Sequence, residues 1–348
     1  MNKRVKLPEG IMMLVTISIL VLFFMIGIPI MVINSDSKSE KKESPKAPKV
    51  VTENATSIEI KGSDIIKVFI ENENKVVEVP LEDYIKNVVS GEMPASFELE
   101  ALKAQAIAAR TYVATKKIKP CVKAEKAGGD VCDSTHCQVY ISKESRLEKW
   151  SEKDRDNNWK KIEEAVNETK GEVLTYNGNL VMYPQFFATS SGKTESSVDV
   201  FSNDVPYLVS KESSGEEIAP KFKSEKSIGI NEFINIINSN YEKSGLTIDN
   251  LSGNIEIISR SDAGGVKEIR IGKERIKGTE FRHLLKLNST NFEFDISESE
   301  IIFKCKGYGH GVGMSQWGAN VMAKEGKDFK EILSHYYTDT QLKDIEFK

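Results

Sequence analysis

The chain has 348 residues, room for one large or two ordinary domains, and its 39% hydrophobic and 29% charged content is that of a globular protein. Its 48 basic and 52 acidic residues leave a formal net charge of −4. No broad basic surface follows from that balance, so nucleic acid is not an expected partner.

Residues 11–33 are apolar except for Thr16, Ser18, Gly27 and Pro29. Such a run is long enough to cross a bilayer core of about 30 Å. Lys3, Arg4 and Lys6 precede it, which predicts a cytoplasmic tail at 1–10, a single uncleaved transmembrane helix at 11–33 and an exported remainder. A cleaved signal peptide is the weaker alternative, because no A-x-A-like site follows the run. Residues 34–55 are polar, charged and Pro-containing, and read as a flexible linker. The folded, extracytoplasmic part is then 56–345.

Short β-rich runs at 58–60, 65–70 and 76–79 predict a small antiparallel sheet. Pro80, the acidic Glu82 and Asp83, and apolar Leu81, Tyr84, Ile85, Val88 and Val89 predict a helix that Ser90 and Gly91 end. Glu92 is then expected on a fixed bend, Gly91-Glu92-Met93-Pro94, before a second helix capped by Ser96. That helix carries Leu99, Leu102, Ala106, Ala109 and Val113 on a core-facing stripe, with Lys103 and Arg110 at its margin, two turns apart. Both cations are expected to face a groove that holds Glu92.

Cys121, Cys132, His136 and Cys137 fall within seventeen residues. A tetrahedral structural zinc site and a disulfide both fit an exported protein, and free buried thiols are the third reading. A charged helical stretch at 147–169 buries Trp150, Trp159, Ile162 and Val166, and Asn177-Gly178 predicts a type I′ hairpin between strands at 171–176 and 179–183. Ser190-Ser191-Gly192-Lys193 satisfies the S-x-x-K pattern of penicillin-binding proteins, but K-T-G and S-D-N are absent and a serine acyl-enzyme is set aside. Residues 210–300 supply most of a second subdomain, followed by a core strand at 301–305 in which Cys305 is a small buried hydrophobe. The glycine-rich run 306–319 matches no nucleotide-binding loop. Its His310, Gln316 and Trp317 suit polar and stacking contacts to a sugar. The fold class expected is α+β, mixed helices and small antiparallel sheets in two subdomains that form a cleft.

Four motifs, Ser-Gly-Glu-Met-Pro at 90–94, Leu-Lys-Ala-Gln-Ala-Ile-Ala-Ala-Arg-Thr-Tyr at 102–112, Phe-Phe-Ala-Thr-Ser-Ser-Gly at 186–192 and Gly-His-Gly-Val-Gly-Met-Ser-Gln-Trp-Gly-Ala at 309–319, make the sequence resemble the stage II sporulation protein D family. The resemblance implies a membrane-anchored lytic transglycosylase acting on peptidoglycan glycan strands during forespore engulfment, in the mother-cell membrane with its catalytic domain facing the forespore. It implies Glu92 as the catalytic acid/base. Lys103, Arg110, Tyr112, Ser190, Ser191, His310, Gln316 and Trp317 then line the substrate cleft. The partners implied are a sporulation amidase and a multi-span membrane protein. The Cys/His cluster is not general to the family, and no cofactor is required for catalysis. One carboxylate, where ordinary glycosidases use two, fits a reaction in which the sugar supplies its own nucleophile. A non-enzymatic glycan-binding scaffold that activates the amidase is the competing reading.

Overall fold

The computed structural model describes residues 57–348. The tail, transmembrane and linker expectations at 1–55 lie outside the described residues. Among those described, no helix is long and apolar enough to cross a membrane.

Strand β1 (Ser57–Ile60) does not join the sheet that follows it. It runs parallel to the last strand, β15 (Thr340–Phe347), so the two ends of the described residues are clasped together. Ser57 pairs with Asp344 and Ile60 with Phe347. Strands β2 (Ile65–Ile70) and β3 (Lys75–Pro80) form the expected hairpin, which β4 (Val131–Cys132) extends in parallel. The sheets are therefore not all antiparallel.

Helix α1 (Leu81–Glu92) starts directly at Pro80, with Glu82 and Asp83 on the positive end of its dipole. Helix α2 (Leu99–Ile118) is the centre of the first core. Its many alanines are buried on every side, not along one stripe, because α1, α5 (Arg155–Glu168), α9 (Gln316–Lys324) and α10 (Phe329–Tyr336) all pack against it. Small side chains permit that crowding, and each larger apolar residue added, such as Leu102 or Ile107, contributes about 1.5–3 kcal/mol by burial. Between α2 and α5 lie the short α3 (Val122–Glu125) and α4 (Lys143–Lys149). Trp159, Ile162 and Val166 of α5 are buried as expected, and Trp150 is packed against the same core.

Strands β5 (Glu172–Tyr176) and β6 (Asn179–Leu180) turn through Asn177 and Gly178, both at positive φ, as a type I′ turn requires. Strand β7 (Phe186–Phe187) then leaves the hairpin and pairs in parallel with β14 (Met314–Ser315), the pair that carries two of the four motifs. A short helix, α6 (Ser197–Phe201), follows β7. A second hydrophobic core is built by β8 (Lys223–Gly229), α7 (Ile230–Asn240), the sheet of β9 (Ile255–Arg260), β10 (Val266–Ile271) and β11 (Glu274–Lys277), α8 (Gly278–Leu284), β12 (Phe292–Ile296) and β13 (Glu300–Lys306). Cys305 is buried in it.

Candidate active site

Glu92 is the last residue of α1 and not part of a bend after it, because Ser90 and Gly91 continue the helix. The role of Gly91 is therefore different from a bend. A Cβ on it would lie 2.4 Å from the carbonyl oxygen of Val139, so only glycine lets the 137–140 segment lie against the helix. That approach has a direct consequence, since the Val139 N–H donates to Glu92 Oε1 at 2.7 Å. The second carboxyl oxygen, Oε2, accepts a longer bond of 3.4 Å from the Gln316 amide.

Gln316 opens α9, and Ser315 before it caps the helix by accepting from the Gly318 N–H. The Gln316 amide also donates to Gln105 Oε1 of α2 at 3.4 Å, so Glu92, Gln316 and Gln105 connect α1, α9 and α2. Trp317 is partly exposed beside them, edge-on to Phe97 with ring centroids 4.8 Å apart. The N-cap expected at Ser96 falls instead to Glu98, which makes no side-chain cap and whose N–H is held by Asn320 of α9. Burial pushes the Glu92 carboxyl above its ordinary value, against the opposing pull of the Val139 N–H and the Gln316 amide. The residue as a whole is partly exposed. A carboxyl whose proton is held more tightly by burial is suited to give that proton to a bound oxygen.

The structure does not bring the two expected cations to this carboxyl. Arg110 is wholly buried and clamps Glu82 at the opposite end of α1, through Nε to Oε1 at 3.0 Å and Nη2 to Oε2 at 2.6 Å. Nη1 and Nη2 also donate to the carbonyls of Glu172 and Val166. Ten residues of helix separate Glu82 from Glu92, about 15 Å. Lys103 bridges Glu100 and Glu168 at 2.6 and 2.7 Å and joins α2 to α5. Both margins of the stripe are covered by other helices, which is why neither cation opens onto a groove. Tyr112 lies against Cys137, and Ser190 is buried with its hydroxyl on Glu216. Ser191 donates to the Ala263 carbonyl at the edge of the second core. His310 sits between Phe187 and Phe201, each ring 5.6 Å away, and its Nδ1 accepts from the Val312 N–H. Burial lowers its pKa to about 4, so the imidazole is neutral.

Cys121, Cys132, His136 and Cys137 converge, with their ligand atoms all within 4.8 Å of one another. The Cys121–Cys132 and Cys132–Cys137 sulfurs are 3.9 and 3.4 Å apart, and His136 Nδ1 lies 3.4 to 3.7 Å from the three sulfurs. Sulfurs bound to zinc at about 2.3 Å sit about 3.8 Å apart in a tetrahedron, so the donor set fits a structural zinc centre. All four cysteines of the chain are free thiols, and the sulfurs are too far apart to be bonded. The cluster lies on the segment that ends in Val139, where Gln138 accepts from Tyr84 of α1 and Tyr140 stacks on the same ring.

Three contributors escaped the sequence reading: the Val139 backbone, Gln105 and Glu216. The first is a main-chain group and leaves no residue signal. Gln105 stands inside a quoted motif, and a Gln amid buried alanines was a legible sign of a polar contact. Glu216 had no signal at all, lying in a stretch without a motif.

The family model for stage II sporulation protein matches residues 70–176, which include α1, α2 and the Cys/His cluster. The chain is 34% identical to stage II sporulation protein D of Bacillus subtilis (strain 168) over 95% of its length and 96% of that protein's. It is also 34% identical to stage II sporulation protein D of Bacillus amyloliquefaciens, over 81% of the chain and 79% of the relative. A more distant likeness, 31% over 74% of the chain and 40% of the relative, is to a Bacillus subtilis protein named amidase enhancer.

Proposed function

The chain belongs to the stage II sporulation protein D family, and from that premise we propose that it is a membrane-anchored lytic transglycosylase that cleaves peptidoglycan glycan strands during engulfment. The observation that carries the reading is Glu92: a partly exposed residue whose carboxyl has its pKa raised by burial, with no neighbouring acid contributing to the shift. Glycosidases that rely on water or on an enzyme nucleophile place a second carboxylate about 5–9.5 Å from the first. A transglycosylase does without it.

In the proposed reaction the Glu92 proton passes to the glycosidic oxygen between N-acetylmuramic acid and N-acetylglucosamine as the bond from that oxygen to the muramic C1 breaks. The muramic C6 hydroxyl oxygen bonds to C1, and its proton returns to the Glu92 carboxylate. Val139 and Gln316 fix the two carboxyl oxygens through this exchange. The neutral His310, with Trp317 and the exposed Phe201, offers apolar and polar surface to the sugars. Lys103 and Arg110 act as braces of the helices that carry Glu92, and Tyr112 and Ser190 as supports behind the surface. A zinc ion held by Cys121, Cys132, His136 and Cys137 would fix the segment that presents the Val139 N–H. Residues 11–33 anchor the protein, with the domain outside the cytoplasm, and a cell-wall amidase and a multi-span membrane protein are its partners.

The relative named amidase enhancer favours a second reading, in which the protein binds glycan and stimulates an amidase without cleaving. One experiment separates the two. Full-length protein in detergent and its Glu92→Gln variant are incubated with peptide-free glycan strands, and with intact peptidoglycan plus amidase. Loss of strand cleavage in the variant with amidase stimulation retained supports the enzyme. Absence of strand cleavage by the wild type supports the scaffold.

A further inference from the structure

Glu216 is fully buried, yet none of its hydrogen-bonding capacity is idle. Oε1 accepts from the hydroxyls of Ser190 at 2.6 Å and Ser213 at 2.5 Å, and Oε2 accepts from the Ser190 N–H at 2.8 Å and the Ser315 hydroxyl at 2.6 Å. An ionised carboxylate has about four acceptor sites, and all four are filled. Tyr336 of α10 adds a further contact behind, to Ser213 at 2.7 Å. Two glycines make room for the carboxylate and its loop. A Cβ on Gly318 would lie 2.8 Å from Glu216 Oε1, and one on Gly215 would lie 3.0 Å from Val321 of α9.

This cluster joins three segments far apart in sequence, and one of them leads to the candidate acid. The Ser315 hydroxyl donates a hydrogen bond to Glu216 while its oxygen caps α9. The next residue is Gln316, whose amide holds Glu92 Oε2. We infer that Glu216 is a positioning residue for Glu92: it anchors Ser315 and the first turn of α9, and so fixes the Gln316 amide against the carboxyl. Glu216 touches neither Glu92 nor, being buried, any substrate. Its expected effect on rate rests on the reading of Glu92 as the acid, but its effect on the Glu92 carboxyl does not.

A hydrogen bond to the ionised carboxylate lowers its pKa, so a loosened Gln316 raises it. The test is a titration of Glu92 by carbon-13 carboxyl NMR on full-length protein in detergent, the resonance assigned from its loss in Glu92→Gln. Ser315→Ala removes one of the four bonds to Glu216 together with the cap on α9, and leaves Glu216 three, so it folds more readily than Glu216→Gln, which sets an amide donor against other donors; the folded Glu216→Gln, which keeps the cap, isolates the part of Glu216 itself. Phe233→Leu, in the second core, is the control for lost stability. Expected is a Glu92 pKa higher by about half a unit in Ser315→Ala and in folded Glu216→Gln, with no change in Phe233→Leu. On glycan strands kcat should fall roughly 10-fold to 100-fold with KM little changed, and the alkaline limb of the rate profile should move up with the pKa. An unmoved Glu92 titration in Ser315→Ala, or in folded Glu216→Gln with its cap intact, overturns the inference. A shifted titration in a protein that cleaves no glycan leaves the positioning role standing and removes the enzymatic reading.

Discussion

Arg110 is the residue whose sequence reading and structural place differ most, and replacing it with Met tests which is right. Met keeps much of the apolar volume but removes two bonds to Glu82 and two to the carbonyls of Glu172 and Val166. The Glu82 carboxylate keeps the Gly171 N–H at 3.2 Å and little else, at only 19% side-chain exposure. Breaking a buried pair from one side costs about 3–5 kcal/mol, a large part of the roughly 5–15 kcal/mol that holds a domain together. The assay is urea unfolding followed by circular dichroism, on wild type, Arg110→Met, Glu82→Gln and the double variant. Expected is a large fall in the midpoint for Arg110→Met and a double variant less destabilised than the sum, by about 0.5–3 kcal/mol of coupling. Where Arg110→Met remains folded, its KM for glycan should match the wild type. A wild-type midpoint with selective loss of glycan binding would refute the reasoning and return Arg110 to the groove.

Glu92→Gln should be more stable than wild type at neutral pH. The folded-state carboxyl is held above its ordinary value, so the stability that Glu92 contributes is full below the unfolded-state value and declines as pH rises towards the folded one; equal stability of the two proteins from about pH 4 to neutrality would contradict the shift. Gly91→Ala puts a Cβ 2.4 Å from the Val139 oxygen, so it should push the 137–140 segment away, weaken the Val139 bond to Glu92 and cut activity roughly 10-fold or more, visible as a raised alkaline limb in the rate profile. For the Cys/His cluster, elemental analysis of protein purified without chelator should find about one zinc per chain, lost in Cys132→Ser. Equal zinc in both proteins would dismiss the site.

The local signals that were legible are those that a few neighbouring residues decide. The Asn177-Gly178 turn, the β2–β3 hairpin and the helices around Glu92 each follow from spacing and backbone preference. The pairing of β1 with β15 was not legible, because alternation marks a strand without naming its partner. The same limit explains Lys103 and Arg110. Spacing places them at the margin of a stripe, but only the packing of α5 and α10 decides whether that margin faces solvent. Gly91 reads as the end of the helix and the start of a bend, whereas its small size is what the fold uses. Glu92 itself could be singled out, yet its partners Val139 and Gln316 lie 47 and 224 residues away along the chain.

The central claim is that Glu92 both gives and recovers the proton while the sugar closes on itself, and the mass of the product ends tests it most directly. Full-length protein digests peptide-free glycan strands, and the fragments are weighed without prior reduction. The account predicts 1,6-anhydro-muramic ends, one water lighter than reducing ends, from the wild type and none from Glu92→Gln. Reducing ends from the wild type would contradict it, since they require an attacking water and a base that the proposed site does not contain.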